Sequence, residues 1–281
     1  MPKRPRPRRV LGVDFSGASD AGRKIWIAEC KRGRGSKLTL VDLRPASELP
    51  RSGTAPEAAI AALSRHITLE PDTIVGCDFP FTVPKTVIDT ASWETFVQGF
   101  PGRFADPGAF RHWALLRAGG RELRRAADRD AKTPFNSYNL RIYRQTWWGI
   151  AHLLNPLLTS GRAIVRPYQP LPSEPRPIVI EACPACSLKE LGFYPPYKGR
   201  TGAHRRERKA VLRKLTAAGL LEPPATRLHD IMLDNVGGDA LDAVIAAIAA
   251  AHASIEIEPE GDQRVEGVIY AALPGRARPF S

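Results

Sequence analysis

The chain has 281 residues, 43% of them apolar and 25% charged, with 26 prolines. These proportions describe a globular chain long enough to bury a large core, and they exclude disordered, collagen-like and disulfide-stapled classes. Lysine and arginine outnumber acids 41 to 29, a formal net charge of +12, which favours anionic partners such as nucleic acid or acidic headgroups.

Residues 1–9 (MPKRPRPRR) are rich in arginine and proline and read as a disordered basic arm. Residues 10–281 read as one domain. The run 10–15 (VLGVDF) is a buried strand that ends in the turn Ser16-Gly17-Ala18. Residues 25–30 and 38–43 are two further strands, joined by a charged, glycine-bearing link at 31–37. The chain therefore opens with three antiparallel strands. Residues 54–66 set apolar side chains at helical spacing, with Pro56 at the start and Glu57 in the first turn. Residues 73–80 (TIVGCDFP) repeat the plan of the first strand, an apolar run stopped by an acid.

From about 82 to 176 the composition changes. Trp93, Phe96, Phe100, Phe104, Phe110 and Trp113 are interspersed with arginines. Residues 117–132 are charged and helical in pattern, and 138–158 form another helical pattern. This stretch reads as a mostly helical insertion, and the proline-rich segment 168–177 returns the chain to the core. Residues 178–182 (IVIEA) are a third buried strand with a carboxylate at its end. Residues 204–217 form a basic helix, 239–253 a strong apolar helix opened by Gly237-Gly238, and 265–273 a last strand. Strands separated by helices after a hairpin start predict an α/β fold with a mixed β-sheet flanked by helices. The longest apolar segment, 243–251, is too short to span a bilayer, so no membrane partner is expected. Four cysteines and a basic N-terminus without an apolar leader point to a cytoplasmic, reducing location.

Five acids sit where strands or helices begin or end: Asp14, Asp78, Glu181, Asp239 and Asp242. Ligands of α/β sheets bind outside the carboxyl ends of strands, so Asp14, Asp78 and Glu181 converge if their strands are neighbours. Asp239 and Asp242 are three residues apart and share one helix face. Carboxylates packed this closely share protons or hold a hard cation. Oxygen ligands select Mg²⁺ or Mn²⁺, and a pair of such ions would clamp an in-line phosphodiester displacement. Asp14 has the alternative of capping the following turn, and Asp239 that of capping its helix. Asp78 and Glu181 follow apolar runs, where an unpaired charge is costly.

The blocks VLGVDFSGA, VGCDFPF, IVIEACPA with SLKELGFYPPYKG, and GGDALDAVIAAIAA resemble the domain-of-unknown-function 429 family, in blocks from about residue 10 to 273. That family is regarded as predicted nucleases of the ribonuclease H-like superfamily. The resemblance implies a ribonuclease H-like domain over 10–281 with the helical insertion at 82–176. It also implies a catalytic metal site for Mg²⁺ or Mn²⁺ built from Asp14, Asp78, Glu181, Asp239 and Asp242, acting on DNA or RNA. Asp14 matches the first-strand acid of the superfamily. The Asp239/Asp242 pair is similar to the paired aspartates of RuvC-type resolvases, and Glu181 to the glutamate that precedes the family's Pro-Ala turn.

Lys198, Arg200, Arg205, Arg206, Arg208 and Lys209 form a basic block with the single acid Glu207, a candidate phosphate-binding face or a solvated one. Tyr138, Arg141, Tyr143, Arg144, Trp147 and Trp148 either stack on bases or, as helical spacing favours, form core with an arginine face. Cys183 and Cys186 make one CxxC, weak support for zinc or redox chemistry. His204 and His229 either protonate a leaving group or, as the scatter of the histidines favours, are surface residues. Two other functions fit parts of the pattern. GVDFSGAS resembles the first phosphate loop of actin-like ATPases and sugar kinases, although CDFPF lacks the glycines of a second loop. A non-catalytic nucleic-acid-binding module is the other.

Overall fold

The computed structural model describes residues 6–33 and 37–271. Most of the 1–9 arm thus lies outside the described residues. Arg9 itself opens the first strand, where its guanidinium pairs with Glu29 at 2.9 Å.

Six strands form one mixed sheet: β1 (Arg9–Asp14), β2 (Trp26–Arg32), β3 (Leu38–Pro45), β4 (Thr73–Asp78), β5 (Ile164–Arg166) and β6 (Ile178–Glu181). Their spatial order is β3-β2-β1-β4-β6-β5. The first three are antiparallel neighbours, as the hairpin pattern predicts. β1, β4, β6 and β5 run parallel, so their carboxyl ends lie along one edge of the sheet.

The two faces are distinguished by alternation. Leu11, Val13, Val75, Cys77 and Val179 belong to the core on one face. That face is covered by α2 (Pro56–Ile67) and by the segment between β4 and β5. α1 (Ala21–Lys24) packs beside α2. Val10, Ile74, Ile178 and Ile180 belong to the core on the other face. There lies α11 (Asp239–His252), whose middle is almost entirely alanine, valine and isoleucine. Small residues on both sides let this helix touch the sheet backbone. A Cβ on Gly12 would sit 1.9 Å from the Ala243 carbonyl oxygen, and one on Gly76 would sit 2.5 Å from that of Ala246. The helix thus lies over β1 and β4, with its N-terminus at their carboxyl ends.

The segment after β4 carries α3 (Trp93–Arg103), α4 (Pro107–Arg117), α5 (Ala126–Asp130), α6 (Tyr143–Gly149) and α7 (Asn155–Ser160). Ser92 and Asp106 cap α3 and α4 by accepting from Thr95 N at 3.1 Å and Ala109 N at 2.8 Å. A π-helical turn, Ile150–Leu154, joins α6 to α7 just before Pro156, which has no N–H to donate. The aromatic series at 93–113 is core: Phe96, Phe100, Phe104 and Phe110 are buried edge to face or tilted against one another. Two expectations fail here. The 117–132 pattern yields only Arg117 at the end of α4 and the five residues of α5, with Gly119 and Gly120 in the left-handed region just after α4. Residues 164–166, inside the predicted helical stretch, are strand β5 at the sheet edge.

α8 (Pro184–Glu190), α9 (Gly202–Ala217) and α10 (Thr226–Asp234) follow β6. The strand expected at 265–273 does not form over its described part. Residues Gln263–Glu266 are the short helix α12, and Tyr270 makes a single bridge to Ala182. Among the described residues, no helix is long and apolar enough to cross a membrane.

Candidate active site

The parallel register sets Asp14 directly opposite Asp78. Both lie on the α11 face, because they continue the alternation of Gly12 and Gly76. On α11, Asp239 and Asp242 lie one turn before Ala243 and Ala246, the residues seated over those glycines. Four carboxylates thereby meet at one corner. Their mutual field is visible in their acidities. Burial, then Asp242, Asp78 and Asp239, push the Asp14 carboxyl well above its ordinary range. Burial and Asp242 push Asp78 up to about 7. Burial raises Asp239 as well.

Neither acid does the capping work that offered an alternative account. Ser16 Oγ closes the turn after β1, accepting from Ala18 N at 3.3 Å. The N-cap of α11 is Gly238, and Asp239 is the first helical residue. Gly238 has φ of 80°, and a Cβ there would meet the Tyr197 ring at 2.9 Å and Lys198 Cγ at 3.1 Å. Gly238 lets the 197–198 segment lie across the start of the helix, while a Cβ on Gly237 would meet the Asp239 carboxylate at 2.6 Å.

That segment supplies the partners of Asp242, which is 1% exposed. Tyr197 Oη donates to Asp242 Oδ1 at 2.6 Å, and Lys198 Nζ pairs with Asp242 Oδ2 at 2.6 Å. Desolvation acts to lower the Lys198 ammonium's pKa, but Asp242, Asp14 and Asp78 outweigh it and drive it up. Gln145, at the start of α6, donates to the Asp78 carbonyl at 3.2 Å. Sequence reading missed Tyr197 and Gln145. Tyr197 was marked only by its place in FYPPYKG, next to a lysine, and Gln145 carried no signal of its own.

Glu181 is not part of this cluster, which corrects the expectation of five converging acids. Glu181 stands beside Cys77, and Ile180 stands beside Gly76. Its side chain therefore belongs to the opposite face from Asp14 and Asp78. The residue next along on the α11 face is Ala182, packed with Ala246 and Ala249. Glu181 is instead held by Arg125, at 2.5 Å to Oε1 and 2.8 Å to Oε2, and by Phe81 N at 3.0 Å. Arg125 also grips Asp128 at 2.8 and 3.1 Å. Burial raises the Glu181 carboxyl while Arg125 pulls it down. The Glu181 charge still helps to raise Asp78, but both of its oxygens are engaged by Arg125 on the opposite face.

The basic block divides as well. Arg208 is 2% exposed and donates to Leu233 O, Tyr197 O and Gly199 O at 2.8, 2.7 and 3.1 Å, so it is a brace and no phosphate-binding surface. Arg205 pairs with Asp234 at 3.0 Å. Arg200, Arg206 and Lys209 are exposed. Tyr138 and Trp147 are buried, Tyr143 and Trp148 partly so, and Arg141 and Arg144 face solvent. Cys183 and Cys186 are joined by a disulfide at the start of α8. His204 bonds Thr201 and His229 bonds Asp230.

The carboxylate set is all oxygen, partly buried and mutually repelling, which suits a hard divalent cation in donor chemistry. Among the described residues, no three His, Cys, Asp or Glu side chains already close into a metal-ligand group. The cation now among them is the Lys198 ammonium. The glycines of the GVDFSGAS loop are covered by protein: Gly12 by α11, and Gly17 by the backbone of Arg144 and Gln145. That leaves them little room to cradle a nucleotide phosphate.

Comparison with known proteins returned no match to the chain among family models, curated proteins or solved structures.

Proposed function

We propose that the chain is a Mg²⁺- or Mn²⁺-dependent nuclease or phosphodiesterase with a ribonuclease H-like core. The single observation that carries this reading is the meeting of Asp14, Asp78, Asp239 and Asp242 at the carboxyl ends of parallel strands. Three antiparallel strands followed by parallel β4 and β6 support the ribonuclease H-like assignment, as does the block resemblance to the domain-of-unknown-function 429 family.

Asp14, flanked by the other three, is the natural shared ligand. Asp78 and Asp242 would complete the set, with Asp239 at its rim. A bound divalent ion would supply Lewis acidity and an acidified water for phosphodiester hydrolysis. The protein's own part is positional. β1 and β4 fix the spacing of two acids, α11 delivers the other two, and Tyr197 sets the orientation of Asp242. The exposed cations Arg200, Arg206 and Lys209, with Arg141 just before α6 and Arg144 in it, would draw the polyanion in. Glu181 has no place in this mechanism except through Arg125, which ties the helical segment to the sheet.

The test is cleavage of labelled single-stranded, duplex and branched DNA, RNA and hybrid with Mg²⁺, Mn²⁺ or EDTA. Wild type is run beside Asp14→Asn and Asp242→Asn. Metal-dependent cutting that is lost in both variants is expected. Cutting that persists in both, or no cutting on any substrate, overturns the reading. Binding of nucleic acid that survives chelation without cutting would favour a non-catalytic module.

A further inference from the structure

A lysine ammonium lying among acids argued to hold a metal is a structural conflict. Lys198 Nζ is 2.6 Å from Asp242 Oδ2, and its charge also acts on Asp14, Asp78 and Asp239. A cation in that position and a divalent ion liganded by the same oxygens repel each other and compete for the same lone pairs. Yet the lysine is not locked in. Its side chain is 53% exposed while that of Asp242 is 2% exposed, so the ammonium reaches in along a half-exposed stem that rests on Gly238. The backbone beneath it is fixed. Arg208 holds the carbonyls on both sides of it, Gly199 N bonds Val236 O at 2.8 Å, and Tyr197 stays on the other oxygen of Asp242. Only the flexible lysine side chain must turn for Asp242 Oδ2 to be released.

Resting on the metal-dependent reading above, we propose that Lys198 is the site's built-in counter-cation, and that a divalent ion binds by exchange with it. In the metal-free protein the ammonium offsets part of the repulsion among the four acids. On metal binding it leaves Asp242 and swings to the rim, still tethered beside the site. A mobile ammonium there is placed to meet the phosphate of an anionic substrate, so loading the metal and exposing a phosphate-binding cation become one event. The exchange is unequal in charge: one positive charge departs and two arrive, against four carboxylates that Lys198, with Lys24 acting on Asp239, leaves under-compensated.

The experiment is Mn²⁺ titration of the metal-free full-length protein, read as loss of the free-ion signal in electron paramagnetic resonance. Wild type, Lys198→Met and Lys198→Gln are compared, with Asp14→Asn as the site control. Removing the competitor should tighten Mn²⁺ binding by about tenfold in both lysine variants, the scale of one charge-assisted contact. A gain below about threefold, or a loss, overturns the exchange while leaving the metal site standing, on the same scale. Failure of wild type and both lysine variants alike to bind Mn²⁺ overturns the metal reading together with it. Should both variants fail to fold, the wild type answers alone. The lysine-ammonium ¹H–¹⁵N spectrum should show a protected Lys198 signal that is lost as Mg²⁺ saturates, and its persistence at saturation overturns the proposal.

Discussion

Two groups of carboxylates stand at the same end of the same sheet, and they have opposite characters. Glu181 closes β6 and is gripped by Arg125, which also holds Asp128. All three are at most 5% exposed. Asp14 and Asp78 close β1 and β4 and face Asp239 and Asp242, with Lys198 as the cation among them. The difference between the two is compensation. Where a guanidinium with matching geometry fills the space between acids, the result is a structural joint, and breaking it is costly. Where four acids are offset by Lys198, with Lys24 acting on Asp239, the fold retains repulsion that a ligand can relieve. A strand-end acid is therefore a site candidate only after its partner has been identified.

The contrast can be broken most directly at the joint. Arg125→Met leaves Glu181 and Asp128 buried without their cation, and should lower stability by about 3–5 kcal/mol in urea unfolding. A loss under about 1 kcal/mol would mean the joint is no more than a surface-type ion pair. Next is the helix that delivers Asp239 and Asp242. Gly12→Ala drives a methyl into the Ala243 carbonyl, which a Cβ would approach to 1.9 Å. It should cost about 3 kcal/mol in thermal melts, because helix backbone cannot yield as a side chain does.

The acid corner is tested by pH. Asp78 moves from an ordinary 3.8 to about 7 in the fold, so between those values the folded protein holds the extra proton. Its contribution to stability is full below about pH 4 and is lost as pH rises through about 7. Asp14 and Asp239 act in the same direction. Glu29, lowered to about 2 beside His66 and Arg9, acts only below its ordinary 4.5. Metal-free protein should therefore melt at a lower temperature at pH 8 than at pH 5, with Asp78→Asn flattening part of the difference. An unchanged slope in that variant would remove Asp78 from the account. The smallest effect is a gain: Asp14→Asn should stabilise the metal-free protein by about 1 kcal/mol, as removal of strained functional charge often does. A destabilised variant would place Asp14 with the compensated acids.

Much of the sheet was legible because its signal is local. The apolar runs at 10–15, 73–80 and 178–182, each with its acid, became β1, β4 and β6. The helix at 239–253 became α11, ending one residue earlier at His252. What was not legible depends on partners far along the chain. Alternation in IVIEA sets Glu181 on the face of Val179, away from Ile178 and Ile180. That signal was present, but it needed the register with β4 to decide which face holds the other acids. Its partner Arg125 lies 56 residues earlier, in a segment read only as charged and helical. Arg208 looked like its exposed neighbours because a basic helix repeats the same residue types on every face. β5 escaped notice as a three-residue edge strand, too short for a periodic pattern. The apolar residues near 265–271 pair with the sheet only through one bridge, from Tyr270 to Ala182 just past β6, and make no strand there.

The seating of α11 on Gly12 and Gly76 also bears on how the chain is made. β1, β2 and β4 are complete by residue 78, whereas the helix that covers them begins at residue 239. During synthesis from the N-terminus, the glycine-floored strip between β1 and β4 stays open until most of the chain has left the ribosome. Through that interval Asp14 and Asp78 remain hydrated, so their repulsion does not oppose strand pairing. The same interval leaves Val10 and Ile74 uncovered. Closing so long a loop makes folding slow relative to a local-contact protein, and nascent chains stalled before residue 239 should engage chaperones more than the finished protein does.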